Sequence, residues 1–158
     1  YNADEKELCR LDEIYSAVKT PFEIRSGSEK VTRRFFKICN NGRESFTGLY
    51  KNLTEQGICK GHQCIAYGLY MRDNGIELSE GLAVYGYSIC SAIVTNCVKL
   101  VPLSQLAGQK ILGESFELIS SASEKALFTD INDIGISGAG FDLRAMQHER
   151  LYSRQYMS

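Results

Sequence analysis

Apolar residues recur three or four positions apart along most of the chain, which is the spacing of one α-helical face. The first such stripe consists of Leu8, Leu11, Tyr15 and Val18. Pro21 follows the stripe, and proline cannot continue a helix. The pattern therefore predicts a first helix over residues 4–19.

Similar stripes predict three more helices in the first half of the chain. Ser28 is a candidate N-cap for the second helix. The apolar face of that helix consists of Val31, Phe35 and Ile38. The third helix is marked by Phe46, Leu49, Tyr50 and Leu53. Gly57 and Gly61 bracket a break before the fourth helix, which ends at the turn residues 73–75. The fourth helix is marked by Ile65, Leu69 and Tyr70.

Residues 81–98 form a long segment without a charged side chain. A membrane-spanning helix needs about 20 predominantly apolar residues, and this segment contains too many polar ones, namely Tyr85, Tyr87, Ser88, Ser91, Thr95 and Asn96. Its apolar positions form two stripes. A helix with two apolar faces packs against neighbours on two sides. We therefore expect the central helix of a soluble bundle, with no membrane span.

The last part of the chain changes character twice. Pro102 ends the long helix and suits the first turn of a sixth helix, which is expected to reach Phe128 with an interruption. Residues 129–141 are rich in glycine, aspartate and asparagine, which is typical of a linker. The predicted organisation is all-α: a single-domain helical bundle over residues 1–128, a linker loop over 129–141, and a partner-binding tail helix over 142–158.

Composition narrows the function classes. The chain has 158 residues and a net charge of −1, so it lacks the excess of basic residues that nucleic-acid binding requires. The polar, acidic residues 1–7 do not resemble a secretory signal. Without secretion, the six cysteines are expected to be free thiols in a cytoplasmic protein rather than a disulfide framework.

Catalytic motifs are missing from the sequence. The two histidines, His62 and His148, lie in no local signature of nucleophilic catalysis. No Gly-x-x-x-x-Gly-Lys-Ser/Thr loop occurs, so nucleotide binding by this chain alone is not expected. We predict that the protein is not an enzyme.

One cluster has metal-ligand chemistry, in the sequence Cys59-Lys60-Gly61-His62-Gln63-Cys64. Thiolate and imidazole bind zinc or nickel, but a closed site needs four ligands and only Cys59, His62 and Cys64 are present. The favoured alternative is an ordinary helix start with Cys64 facing the core and His62 exposed. We therefore assign no metal ligand and keep the three residues as secondary candidates.

The tail combines arginine with aromatic residues, a composition that is enriched at protein interfaces. Its candidate partner-binding residues are Arg144, His148, Arg150, Tyr152, Arg154 and Tyr156. Two alternatives are a helix that packs back on its own bundle and a tail that becomes ordered on binding.

Several stretches carry a family resemblance. The most specific are Cys97–Gln105, followed by residues 108–112, and the ending Met146–Arg154 with residues 156–158. Weaker similarity lies in Phe22–Arg25 and in residues 62–76. Together these stretches resemble the UreF family of urease accessory proteins, most closely its Helicobacter-type members. By this resemblance the chain is expected to be shorter than those members and to lack their usual N-terminal region.

The resemblance implies a non-catalytic, all-α scaffold that forms a homodimer. Such a scaffold would bind the accessory protein UreD, called UreH in Helicobacter, and recruit the GTPase UreG. The assembly would then deliver nickel to apo-urease, so the complex handles the metal and this chain holds no cofactor firmly.

The resemblance also implies where the interfaces lie. It places the arginine-rich tail, including Arg154, at the partner interface. It makes the 102–110 segment, with Gln105, Gln109 and Lys110, a structural and interface element. Gln105 and Gln109 lie four residues apart, on one helix face, where both amides can bond a neighbour. Arg25, in the shared Phe22–Arg25 motif, is a further candidate.

Three other functions stay open. The chain could regulate the UreG GTPase cycle by supplying an arginine in trans, with Arg25, Arg33 and Arg34 as candidates. It could carry nickel directly on Cys59, His62 and Cys64. It could also be a generic helical module with only distant ancestry.

Overall fold

The computed structural model describes residues 4–39, 42, 44–135 and 138–152. Within these ranges the chain is all-α and contains no β-strand, which confirms the predicted fold class. The helices are α1 (Glu5–Val18), α2 (Phe22–Ile38), α3 (Phe46–Glu55), α4 (Gln63–Asp73), α5 (Leu78–Leu100), α6 (Gln105–Glu114), α7 (Phe116–Leu127) and α8 (Ala139–His148). A short 3₁₀ turn spans Ile131–Asp133.

Side-chain caps explain where three of the helices begin. Asp4 accepts a hydrogen bond from the Glu7 amide at the start of α1, and Ser104 accepts one from the Ala107 amide at the start of α6. Ser45 likewise accepts from the third residue of α3. Each cap satisfies an amide that has no partner within the first helical turn.

Ser28 does not cap α2, contrary to the sequence prediction. The helix begins at Phe22, directly after Pro21, so Ser28 lies inside it. The Ser28 hydroxyl instead accepts a hydrogen bond of 2.9 Å from the Gln63 amide at the start of α4. A hydroxyl from a distant helix therefore supplies the cap that a local residue would otherwise provide.

The described residues form two compact units. The first unit comprises the described residues within Tyr1–Asn74 and Asn132–Ser158, and the second comprises Gly75–Ile131. The first unit has a continuous core at the junction of α1, α2, α3 and α4. The core residues are Leu8, Phe36, Tyr50, Leu53, Cys59, Ala66 and Leu69.

The second unit consists of α5 packed against α6 and α7. Gly108 brings α6 close to α5, because a Cβ there would lie 2.8 Å from Val98 Cγ2. Gly86 has the same role toward α7, where a Cβ would lie 3.0 Å from Ile119 Cγ2. The predicted interruption of the sixth helix is confirmed: α6 ends and α7 begins at Ser115.

The long helix α5 is not buried on two sides as the sequence predicted. Gly81 is its one buried residue, and several large apolar side chains remain exposed, among them Val84, Ile89 and Ile93. By length and composition alone α5 could cross a membrane, and little of its most apolar stretch is buried in the structure. Two apolar stripes predicted two covered faces, but the unit supplies only α6 and α7 to cover them.

Candidate functional site

A buried carboxylate organises the first unit. Asp12, on α1, is 2% exposed. It accepts hydrogen bonds from the Tyr50 hydroxyl at 2.5 Å, from the Lys60 amide at 2.7 Å and from the Gly61 amide at 3.0 Å. One side chain therefore ties α1 to α3 and to the segment that leads into α4. We call Asp12 and its three donors the Asp12 hub.

Tyr50 extends the hub to the start of α4. Its hydroxyl accepts a hydrogen bond of 2.8 Å from the His62 amide while it donates to Asp12. Burial, reinforced by the Asp12 carboxylate, raises the pKa of Tyr50 above its ordinary value. The phenol consequently stays protonated and serves as a fixed donor.

His62 is fully buried, which contradicts the expectation that it would be exposed. Its Nε2 lies 2.7 Å from Ser16 Oγ, and the Ser16 hydroxyl donates to the Asp12 carbonyl. Because the hydroxyl hydrogen points to that carbonyl, Ser16 accepts from His62 and the imidazole carries its proton on Nε2. His62 Nδ1 has no hydrogen-bond partner among the described residues. Burial lowers the pKa of His62 below its ordinary value of 6.5.

A neutral, buried His62 predicts that the first unit loses stability as the pH falls. Because its folded-state pKa is depressed, the unfolded chain binds a proton at higher pH than the folded chain does. The free energy of unfolding should fall below about pH 6.5, by at most about 1.4 kcal/mol per pH unit, until the pH reaches the folded-state pKa.

Denaturant unfolding between pH 7.5 and 5 measures this dependence. His62→Asn should flatten the curve between pH 6.5 and 5, where few carboxylates titrate. The matched control is Gln56→Asn, an exposed and uncharged position of the same unit, which should leave that part of the curve unchanged. An unaltered slope in the His62 variant would contradict the assignment.

The structure does not gather Cys59, His62 and Cys64 into a metal site. Cys59 is buried beside Cys9, whereas the Cys64 thiol is hydrogen-bonded with Tyr15. Burial raises the pKa of Cys59 to about 12 and that of Cys64 to about 11, so both thiols resist forming the thiolate that binds metal. In the part of the chain that the structure describes, no three His, Cys, Asp or Glu side chains could hold an ion together.

Part of the predicted tail forms α8, which contacts the first turn of α2. His148 Nδ1 lies 2.6 Å from Glu23 Oε2, and the Glu149 carboxylate accepts a bond of 3.3 Å from the Glu23 amide. Helix α2 has no capping side chain at its own N-cap, so Glu149 supplies an acceptor there. The carboxyl end of α8 therefore packs back on its own unit through polar contacts.

The rest of α8 remains available to other molecules. Phe141 and Tyr152 are largely exposed, and none of the α8 residues is buried. Arg144 donates to Gln147 on the surface, and Arg150 is exposed. The two remaining tail candidates, Arg154 and Tyr156, lie outside the described residues.

The candidate residues of α6 are exposed. Gln105 and Gln109 line a groove of about 290 Å³ together with Val94 and Val98 of α5. Lys110 lies 3.9 Å from Glu114 in a surface ion pair, which leaves both side chains in solvent. Because Gln105 and Gln109 are exposed, their side-chain amides can bond a neighbouring molecule.

The three candidate arginines of α2 differ in the contacts that their side chains make. Arg25 donates to the carbonyls of Lys19 and Thr20 and thereby caps the end of α1. Arg33 lies 3.7 Å from Glu29. Arg34 is exposed on the same helix. Arg25 thus has a structural role within its unit, whereas Arg33 and Arg34 are both exposed.

The second unit presents a large apolar surface. A groove of about 510 Å³ runs between α5 and α7, with a lining that is almost entirely apolar. Further large apolar side chains are exposed on α5, α6 and α7, including Tyr87, Leu106, Phe116 and Leu127. Soluble proteins rarely leave such a surface uncovered, and surfaces of this kind are typical of sites that contact another protein or a membrane.

Comparison with known proteins identifies the family. The UreF family model matches residues 1–115 of the chain. The chain is 34% identical, over 158 residues, to the urease accessory protein UreF of Actinobacillus pleuropneumoniae serotype 5b (strain L20), which covers 99% of this chain and 70% of that protein. The chain belongs to the UreF family.

Other UreF proteins show similar agreement. The Haemophilus influenzae protein is 34% identical over 152 residues, which covers 96% of this chain and 65% of that protein. The Paenarthrobacter aurescens protein is 31% identical over 152 residues, which covers 94% of this chain and 67% of that protein. The similarity therefore extends over nearly the whole of this UreF chain, as the sequence motifs indicated.

Sequence reasoning missed the roles of three residues in this UreF fold. It did not single out Asp12 or Cys9, and it treated Tyr50 only as an apolar residue of the third helix. One signal was visible for Asp12, which falls four residues after Leu8 and three before Tyr15, on the apolar stripe of α1. A charged residue on a core-facing stripe requires buried partners. No local signal could identify those partners, because the nearest lies 38 residues away in the chain.

Proposed function

We propose that this chain is a non-catalytic scaffold in urease maturation, which binds UreD or its Helicobacter counterpart UreH and recruits the GTPase UreG. Nickel is the cargo of the assembled complex and passes to apo-urease. The observation that carries the proposal is the 34% identity, over 99% of the chain, with a protein named urease accessory protein UreF. We also propose that the protein is located in the cytoplasm, where it would bind apo-urease through the complex.

The tail is the proposed contact with UreH. Its support is the exposure of Phe141 and Tyr152, together with the exposed guanidinium groups of Arg144 and Arg150. Arginine can bond a carboxylate through two parallel hydrogen bonds, and an aromatic ring buries a large apolar area. Arg154 and Tyr156 are proposed to extend the same surface.

The second unit is the proposed dimer surface, with a second copy of the chain as its occupant. Exposed apolar residues on α5, α6 and α7 support this assignment, since obligate dimer interfaces resemble a domain core cut in two. The amides of Gln105 and Gln109 would bond the neighbouring protein at the polar edge of that surface. On this proposal α5 is covered by protein and does not enter a membrane.

Size-exclusion chromatography with light scattering tests the scaffold. The chain alone should elute as a dimer, should co-elute with UreH, and should then capture UreG. A monomer that binds neither partner would overturn the proposal. GTP turnover by UreG, measured with and without the chain, separates a passive scaffold from a regulator that supplies an arginine such as Arg33 or Arg34, since a passive scaffold leaves the rate unchanged.

Removal of residues 142–158 should weaken UreH binding by at least about tenfold, because interface arginine and aromatic residues often contribute 1–2 kcal/mol or more each. Arg154→Ala should produce part of this loss. Titration calorimetry with UreH measures both dissociation constants. Lys6→Ala, which removes an exposed cation on α1, is the matched control and should bind normally. Full affinity in the truncated chain would exclude the tail as the contact.

A further inference from the structure

Two thiols from distant parts of the sequence lie side by side in the first unit. Cys9 is on α1 and Cys59 is in the segment between α3 and α4, 50 residues later. Their sulfur atoms are 3.7 Å apart, and both cysteines are free. A disulfide requires an S–S distance of about 2.05 Å. The sulfurs therefore need to approach by only roughly 1.6 Å, a shift that side-chain rotation can supply.

We propose that Cys9 and Cys59 are a thiol–disulfide exchange site, which a small-molecule disulfide such as oxidised glutathione converts into an intramolecular disulfide. This inference is independent of the scaffold function, because it concerns only the chemistry of the pair.

The Asp12 hub holds the two sulfurs in register. Cys9 and Asp12 are three residues apart and lie on the same face of α1. Asp12 binds the amides of Lys60 and Gly61, the two residues that directly follow Cys59. The contact between the sulfurs is thus fixed by hydrogen bonds one helical turn away. Such preorganisation raises the effective concentration of the Cys59 thiol beside the Cys9 sulfur. It therefore favours closure of the intramolecular disulfide over reaction with a second small molecule.

The exchange proceeds in two steps with defined roles. Cys9 is half-buried and accessible to a small molecule, so its thiolate attacks one sulfur of the oxidant and releases one small thiolate. Cys59 is only 3% exposed and resolves the mixed disulfide, because its thiolate attacks the Cys9 sulfur and releases the second small thiol. Two protein thiols are oxidised, one small disulfide is reduced to two thiols, and the two protons pass to the released thiolates.

The resolving step should depend strongly on pH. Burial raises the pKa of Cys59 to about 12, so its thiolate is scarce at neutral pH. The rate of closure should therefore rise with pH through the neutral and mildly alkaline range, by up to tenfold per unit. Once formed, the bond closes a long loop and restricts the unfolded chain, which raises the melting temperature of the first unit.

The test incubates the full chain with oxidised glutathione at pH 8, then alkylates the remaining thiols and determines intact mass. The expected product carries four alkyl groups rather than six and has also lost about 2 Da, the two thiol hydrogens. Its digest should contain one cross-linked peptide pair that joins Cys9 to Cys59. Dithiothreitol should reverse both the mass change and the rise in melting temperature.

Two variants separate this pair from the other thiols. Cys9→Ser should abolish the cross-link, whereas Cys39→Ser, which leaves the pair intact, should preserve it. Peptide mapping of the unmodified chain is decisive even if a variant fails to fold. Recovery of Cys9 and Cys59 both in alkylated form, or a glutathione adduct on Cys9 that persists at pH 8 to 9, would overturn the proposal.

Discussion

Replacement of Asp12 by alanine should lower the free energy of unfolding by about 4 kcal/mol, the largest effect expected for a single residue of the first unit. The carboxylate accepts from Tyr50 Oη and from the amides of Lys60 and Gly61. Without it, donors in a largely water-excluded site lose their acceptor at about 1–3 kcal/mol each. The truncation also opens a small cavity beside the core residue Leu8.

Denaturant unfolding followed by far-ultraviolet circular dichroism measures the loss. Hydrogen exchange at the Lys60 and Gly61 amides assigns it to the hub, because both amides should exchange much faster in the variant. Glu13→Ala alters the next residue of the same helix, which is exposed, and should change stability by less than about 0.5 kcal/mol. Equal effects of the two substitutions would show that the hub contributes nothing specific.

Replacement of Gly61 by alanine should cost about 3 kcal/mol, for two separate reasons. The residue has a φ of +87°, a conformation that side chains other than glycine rarely adopt. In addition, a Cβ at this position would lie 2.7 Å from Thr54 Cγ2, a contact that real structures essentially never show. The substitution also disturbs an amide that donates to Asp12.

Gly57 separates the two causes. It has a φ of +75° but nothing within 4 Å of a Cβ, so Gly57→Ala should cost only about 1 kcal/mol. Thr54→Ser removes the methyl group that Gly61→Ala would strike, and should recover part of the loss when the two are combined. The same denaturation experiment measures the three single variants and the double variant. A double variant as unstable as Gly61→Ala alone would show that the clash is not the cause.

Local features of the sequence predicted most of the helices because helices depend on interactions within about four residues. The stripe from Leu8 to Val18 corresponds to α1, and the turn after Asp73 ends α4. The Ser28 prediction failed because serine is a good cap only where a helix begins. Helix α2 begins earlier, at Phe22 after Pro21, and the Ser28 hydroxyl bonds a distant amide instead.

The UreF motifs likewise required only the sequence, since they are runs of particular residues. The sequence by itself therefore determined the all-α class, most of the helices, the presence of a break within the predicted sixth helix and the family of this chain.

The tertiary structure alone decided which side chains meet. It buried His62, paired Cys9 with Cys59, placed Glu149 at the start of α2 and left much of α5 exposed. Each outcome depends on residues that are distant in the chain, or on how many neighbours cover a helix. Periodicity encodes which face of a helix is apolar, but it contains no information about the partner that the face will find.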